Sequence, residues 1–453
     1  MSLKQNKEVI ENYASIDKDF LHALAVFFKN KILLFTVFAM IVSYFYNLPV
    51  IKYSVSGDNE FRLYDVLGVF IIYNYFNNYR LINTIIQKVF IFKNLQKFMI
   101  WASITMITTF ISYITENKIV GFLQVILYMY HFWIFFLTSV YLYLYSLEKL
   151  NFKISIYIIL ILSILSCIVI LLQNLDYVEF LWNEEYKKSY NGFLSGTLGP
   201  NKIVTGMTSL FTLCLCLGLL FEKKYSINVI IVYVALVLNI YIIIVSGSRT
   251  TYVGLIAMAI FFLIRSPVRF LTYTGMLTLI FIFTFSKNSD LQKKLDDTLQ
   301  KRIFSKTDVF DSSDADIIDA YSDLGSGRDE LTKNNFMHLL ENPIIIPFGV
   351  GFVNHLNSKY GKSAHNMYIQ SIRETGIVGF ILYFGWLISF LTIKFDEFKG
   401  FSLALQGLII AMMITLFFGE HLYIYRPLFG LLGLFLVITT IFVSSLHKFE
   451  IKS

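Results

Sequence analysis

Proline and charge are both sparse in this chain: it has six prolines in 453 residues, and Asp, Glu, Lys and Arg together make up only 15%. So little charge cannot dress the surface of a water-exposed globular protein of this size, which excludes that class. The scarcity of proline suits long uninterrupted helices. Cysteine is nearly missing too, and Cys167, Cys214 and Cys216 all fall inside apolar runs. They read as small buried hydrophobes and support neither a disulfide framework nor a metal site. Short strands of alternating apolar and polar residues are lacking, which excludes an outer-membrane barrel. No cleavable secretion signal is expected, because residues 1–19 are polar with both signs of charge and no small-residue cleavage site follows a short apolar region.

What is present is apolar. Hydrophobic residues make up 56% of the chain and aromatic residues 17%, and the mean hydropathy is +0.63. One unit repeats: an apolar run, then a short polar clip with Lys or Arg. Scored against a span of about 20 residues, the runs begin with Ile32–Val50, Leu63–Phe76, Phe98–Ile114, Ile119–Tyr145 and Ile154–Leu172. Next come Ile203–Phe221, Ile227–Val245, Thr250–Ile264 and Phe270–Phe285, and then Gly376–Ile393, Phe401–Phe418 and Leu428–Leu446. The second run is short and rich in Asn. These features predict an all-α polytopic membrane protein of about 12 transmembrane helices, with one large outer loop containing short helices.

The net charge of +7 is explained by topology, since cytoplasmic clips are enriched in Lys and Arg, and no nucleic-acid partner is expected. Lys29 and Lys31; Arg80, Lys88, Lys93 and Lys97; Lys149 and Lys153; Lys223 and Lys224; Arg265 and Arg269; Lys394 and Lys399; and Lys448 and Lys452 all fall on one face if both termini are cytoplasmic. The expected layout is a cytoplasmic N-terminal segment at 1–31 and transmembrane helices 1–9 over 32–285, followed by a large extracytoplasmic loop over 286–364. Transmembrane helices 10–12 occupy 365–446, and 447–453 form a cytoplasmic tail. Residues Phe20–Phe28 are expected to lie on the inner surface. Such a protein is multi-pass in the cytoplasmic membrane, with its working face outward.

The large loop opens with Leu291, Leu295, Leu299 and Ile303 at four-residue spacing, the pattern of a surface helix. Asp308–Asp323 (DVFDSSDADIIDAYSD) is acidic and Ser-rich, and a solvated excursion accounts for it better than a metal site does. A second helix is predicted from Ser326 to near Glu341, where Asn342-Pro343 stops it. So long a loop in a compact membrane protein is usually functional.

Polar clusters gather where this topology places the outer boundary. In Ser246–Thr251 (SGSRTT), Arg249 is a cation on the side where topology asks for none. The plain alternative is an arginine reaching lipid phosphates. In Gly325–Glu330 (GSGRDE), Arg328 lies in the first turn of the predicted helix, against its dipole, and so needs an anionic ligand or one of the nearby aspartates. Ser363–Gly379 (SAHNMYIQSIRETGIVG) leads into a membrane helix. A regular helix there would put His365, Ile369, Ile372 and Gly376 on one face, with Gly376 and Gly379 as a small packing surface. An imidazole at this depth titrates near neutrality and suits a general base, while a capping or structural histidine is the plain alternative. Glu374 either orients a catalytic group or pairs with Arg373 or another basic side chain. Gly196–Lys202 (GTLGPNK) is turn chemistry around Asn201, and Lys202 adds an outer cation. Gly349-Val350-Gly351 lacks the third glycine and the preceding strand of a nucleotide fingerprint. Taken together, the cations and the histidine fit work on a lipid-linked phosphate or diphosphate.

The ordered series resembles the bacterial O-antigen ligase and O-antigen polymerase family, which includes capsule and exopolysaccharide polymerases. It comprises GTLGPNK before one membrane helix, SGSRTTYVGL opening another, SGRDEL inside the loop, ENPIIIPFGVGF after it and AHNMYIQSIRETGIVGF re-entering the membrane. Two departures stand out. Leu331-Thr332 occupies a place where the family often has an aromatic, and Ile344–Phe348 separates Asn-Pro from the glycine turn.

The resemblance implies the all-helical GT-C-type glycosyltransferase architecture with Arg328, Arg249 and His365 as the functional trio. Lys202, Asn201, Glu374, Asn366 and Tyr368 are the expected substrate-binding residues. The implied reaction is inverting transfer of a glycan from undecaprenyl diphosphate, with no metal and no cofactor. The implied partners are the lipid-linked donor and acceptor, membrane lipids, a chain-length regulator and a flippase. Polymerisation of repeat units is the first expectation. A ligase would differ only in its acceptor, a lipid core or a protein. A transporter or flippase of the same lipid-linked unit would more often show an internal repeat and midplane charges, and neither is visible.

Overall fold

The computed structural model describes residues 26–52, 60–115, 119–182, 194–222, 227–268, 270–272, 275, 328–354, 363–393, 398–423 and 429–446. The predicted surface helix Leu291–Ile303, the acidic Asp308–Asp323 and most of Phe20–Phe28 and Phe270–Phe285 lie outside these residues.

Every other predicted apolar run carries a helix. The first half contains α1 (Lys31–Phe45), α2 (Leu63–Asn77), α3 (Tyr79–Lys88), α4 (Phe90–Thr115), α5 (Ile119–Ser146) and α6 (Lys149–Asn174). Then come α7 (Lys202–Phe221), α8 (Val229–Ser246), α9 (Arg249–Arg265), α10 (Arg328–Glu341) and the short α11 (Ile345–Phe348). The last three are α12 (Met367–Ser389), α13 (Lys399–Thr415) and α14 (Phe429–Ser444). Among the described residues six helices, α4 to α8 and α12, are long and apolar enough to cross a membrane, and α1, α13 and α14 are shorter apolar helices. The second loop helix ends at Glu341 as predicted.

The sides of α4 show why the chain needs lipid around it. Ile100, Ile104, Ile107, Ile111 and Ile114 are exposed along one stripe, at alternating spacings of four and three. On the other side Phe98, Met99, Ala102, Thr105, Met106, Thr109 and Tyr113 are buried. A helix that shows isoleucine outward and polar threonine inward is built for an apolar solvent. Exposed Ile256, Ile260 and Ile264 repeat the pattern on α9.

The interior is filled by α5 and α7. Helix α7 packs on α8, α13 and α14, while α5 packs on α14 and α4. Close approach is bought at Gly206 of α7, where any added methyl would run into the Thr251 side chain of α9. One element was not foreseen. Helix α3 is amphipathic, with Leu81, Ile82, Ile85 and Ile86 buried, and it carries the Arg80 and Lys88 expected of a polar clip. The following helix α4 accordingly begins at Phe90, earlier than the predicted Phe98.

A short antiparallel hairpin, β1 (Pro49–Lys52) with β2 (Glu60–Arg62), joins α1 to α2. Beside it a buried polar network fixes the turn before α7. Arg62 donates from Nη1 to Asn47 Oδ1 (3.0 Å) and Tyr64 Oη (3.2 Å), and its backbone N–H donates to Asp65 Oδ2 (2.7 Å). Asp65 also pairs with His131 of α5. Asn47 then holds the turn directly: its Nδ2 donates to Leu198 O (3.0 Å) and its backbone N–H to Thr197 O (2.8 Å). Paired in this way, buried polar groups are satisfied and rigidify what they touch.

Candidate active site

His365 does not lie on a helix. Its φ is 49°, in the left-handed region, and Asn366 after it is extended and caps α12, accepting from the N–H of Tyr368 (3.0 Å) and Ile369 (3.3 Å). The predicted face of His365, Ile369, Ile372 and Gly376 is therefore corrected. Both ends of that stretch are non-helical, since Gly376 has φ 69° and ψ −177°. A left-handed non-glycine residue costs about 1–2 kcal/mol, and such outliers persist only where surrounding structure holds them.

What holds His365 is the mouth of the bundle. Met367 N–H donates to Leu416 O at the end of α13 (2.9 Å). The imidazole Nδ1 lies 3.4 Å from Oε1 of Glu420, whose side chain is only 4% exposed while that of His365 is 37% exposed. Ser363 donates its hydroxyl to the same carboxylate oxygen. A half-exposed imidazole backed by a buried carboxylate is the arrangement of an oriented general base. Glu420 is a residue the sequence reading missed. Its signal was an acidic side chain in the short gap between two apolar runs, at the predicted outer boundary. Next to it, His421 contacts Thr415 Oγ1 at 3.2 Å, and burial pushes its pKa down to about 3, so it stays neutral.

Helix α12 breaks at Gly376 because another segment enters it. Asn342–Gly351, carrying α11, wedges its backbone into the gap: Val350 N–H donates to Arg373 O (2.8 Å) and Gly351 N–H to Glu374 O (2.9 Å). Trp101 Nε1 of α4 donates to Thr375 O (2.7 Å). All three carbonyls released by the break thus find donors, which is the condition for irregular backbone inside a membrane protein. Gly349 (φ 76°, ψ 176°) and Gly376 take the mirror-image extended conformation open essentially to glycine alone. A methyl on Gly376 would strike the Pro347 carbonyl, and one on Gly349 would strike that of Glu374. The glycine pair Gly349 and Gly351 therefore has a structural task. Gly376 meets this inserted segment where a neighbouring helix was expected.

Arg328 lies in the first turn of α10, as expected. One turn later Thr332 donates to Ala364 O, the residue before His365, at 2.7 Å. Two turns later Asn335 accepts from Arg373 Nη1, and Leu339 is buried. The Arg328 end of α10 is thus set beside the His365 turn. His338, in the last turn of α10, is held below the ordinary histidine value by burial and by the Arg373 guanidinium, against the opposite pull of Glu341.

Arg249 is the first residue of α9, exposed, directly after the Ser248 cap, whose hydroxyl accepts from Thr251 Oγ1 (2.9 Å). Lys202 is the first residue of α7. The Gly206–Thr251 contact puts both cations at the same end of the molecule, where helix N-termini favour anions. Gly254 of α9 packs on Thr415 of α13, next to the Leu416 that holds Met367. The trio and Lys202 therefore share one end of the bundle, around the end of α13.

The remaining expected ligands are committed to the protein itself. Asn201 caps α7, accepting from Ile203 N–H (2.9 Å). Asn366 caps α12. Tyr368 donates to Met413 O (2.7 Å) and stacks between Phe384 and Phe417, with ring centroids at 4.3 and 4.1 Å. Glu374 is fully buried and accepts from Gln370 Nε2 (2.8 Å). Among the described residues no cluster of His, Cys, Asp and Glu is arranged to hold a metal ion.

No curated protein and no solved structure matches the chain. Residues 234–384 match a family model described as O-antigen ligase, a stretch that runs from α8 into α12 and contains Arg249, Arg328, His365 and Glu374. Asn201, Lys202 and Glu420 lie outside it. That match supports the O-antigen ligase/polymerase family as the family of this membrane protein.

Proposed function

We propose that the chain is a glycosyltransferase that polymerises oligosaccharide repeat units carried on undecaprenyl diphosphate, at the outer face of a bacterial cytoplasmic membrane. The product is an O-antigen, capsular or exopolysaccharide chain. The pairing of half-exposed His365 with buried Glu420 carries this reading, because it supplies a base at the bundle end where Arg249, Lys202 and the start of α10 gather.

In this reading both termini are cytoplasmic, the loop over 286–364 is extracytoplasmic, and the site faces outward. His365 takes the proton from the acceptor sugar hydroxyl as that oxygen attacks C1 of the donor glycan. The new C1–O bond forms as the bond from C1 to the diphosphate breaks, with inversion and without a metal. The leaving lipid diphosphate keeps the electron pair, and Arg328 and Arg249 meet its growing charge through bidentate hydrogen bonds. Glu420 orients the imidazole and stabilises it once it is protonated. A flippase would deliver the lipid-linked units, and a chain-length regulator would set the product size.

The family description favours a second reading, a ligase that hands finished glycan to a lipid core or a protein. The chemistry at C1 is the same, and only the acceptor differs. Purified full-length protein in liposomes, given lipid-linked repeat units from its native host, distinguishes the readings. A ladder of lengthening glycan that His365→Ala abolishes is the expected result. Transfer only to an added lipid core or protein supports the ligase. Translocation with no new glycosidic bond overturns both in favour of transport.

A further inference from the structure

His365 keeps an unfavourable backbone conformation, and the residue before it is gripped from two sides. Ala364 is held at both of its peptide groups by side chains from two different helices. Its carbonyl accepts from Thr332 Oγ1 of α10 (2.7 Å), and its N–H donates to Gln370 Oε1 of α12 (2.9 Å). Gln370 has a defined orientation, because its Nε2 donates to Glu374 Oε1 (2.8 Å) and this leaves the amide oxygen facing Ala364. Ala364 and Gln370 are both completely buried. On the other side of His365, Asn366 is fixed as the cap of α12 and Met367 is tied to Leu416. His365 is therefore strung between two fixed points, its φ of 49° set by both.

We infer that Thr332 and Gln370 are positioning residues for His365: together they clamp the Ala364 peptide so that the imidazole stays against Glu420. Glu374 acts one step further out, by orienting Gln370. The clamp also couples the two halves of the site, since Thr332 stands one turn after Arg328 on the same helix. Docking of α10 and presentation of the base then become one event. The inference rests on the reading of His365 as the general base, but part of its test does not.

The test uses the full-length protein with Thr332→Val, Thr332→Ser and Gln370→Met. Valine and methionine keep the volume and remove the hydrogen-bonding oxygen, while serine keeps the hydroxyl. Diethyl pyrocarbonate labelling of His365, read by mass spectrometry with His338 as internal reference, reports the imidazole without requiring turnover. The expected result is a several-fold change in labelling rate at His365 alone in Thr332→Val and Gln370→Met, with wild-type behaviour in Thr332→Ser. With lipid-linked repeat units, kcat should fall about tenfold in the first two variants while KM is unchanged, as for a group that matters only in the transition state. Wild-type labelling of His365 in both variants overturns the clamp. So does a parallel rise at His338, which would mean that α10 has simply detached. If the wild-type protein forms no glycan at all, the proposed function fails, and the labelling still decides the clamp.

Discussion

His365, Arg249 and His421 make different demands on the chemistry around them. If Arg249 only neutralises phosphate charge, Arg249→Lys should restore activity. If it offers two parallel donors to the diphosphate, lysine should leave a loss on the order of 10²-fold, measured as the initial rate of glycan formation. The structure places Arg249 at an exposed helix start, at the same end of the molecule as Lys202, and the bidentate outcome is expected. His421 predicts a pH dependence of stability. Its folded value of about 3 lies well below the ordinary 6.5. Between these values the unfolded chain holds a proton that the folded chain refuses, so stability rises with pH across the window. Its contribution is whole above about 6.5 and is lost as pH falls toward about 3. His421→Gln should flatten the acid side of the melting-temperature profile in detergent. A profile parallel to wild type from neutral to acid pH would refute this.

The broken helix α12 is the element that organises the site. The sequence places a histidine, an asparagine cap and two glycines in one continuous run, and periodicity alone draws a straight helix through them. The break at Gly376 depends on the Asn342–Gly351 segment, more than twenty residues upstream in the chain, which no local pattern reveals. Gly376→Ala adds a methyl against the Pro347 carbonyl and forces a conformation that alanine avoids. A loss on the order of 3 kcal/mol is expected, visible as a lower melting temperature and reduced yield of folded protein. Gly385, in the regular part of the same helix, has open space at its Cβ position. Gly385→Ala is therefore the control and should be neutral or slightly stabilising.

Across the whole molecule, the proposed topology makes the two ends of α6 face opposite sides of the membrane. Cysteine placed at Tyr177, exposed beyond the end of α6, should react with a membrane-impermeant maleimide in intact cells. Cysteine placed at Lys149, at the other end, should react only after the membrane is opened. The native Cys167, Cys214 and Cys216 are buried and give little background. Reversed labelling would invert the proposed orientation and turn the site inward. The chain by itself determined the membrane class and placed most of the apolar helices, and it singled out Arg249, Arg328 and His365 as candidates. Hydropathy over a bilayer span and charged residues out of topological place are local quantities, readable along one dimension. Only tertiary structure decided that Glu420 backs His365, that Thr332 and Gln370 grip Ala364, and that Val350 and Gly351 fill the break in α12. Those contacts join segments far apart in the chain, and they exist because each buried donor and acceptor must find a partner once water is excluded.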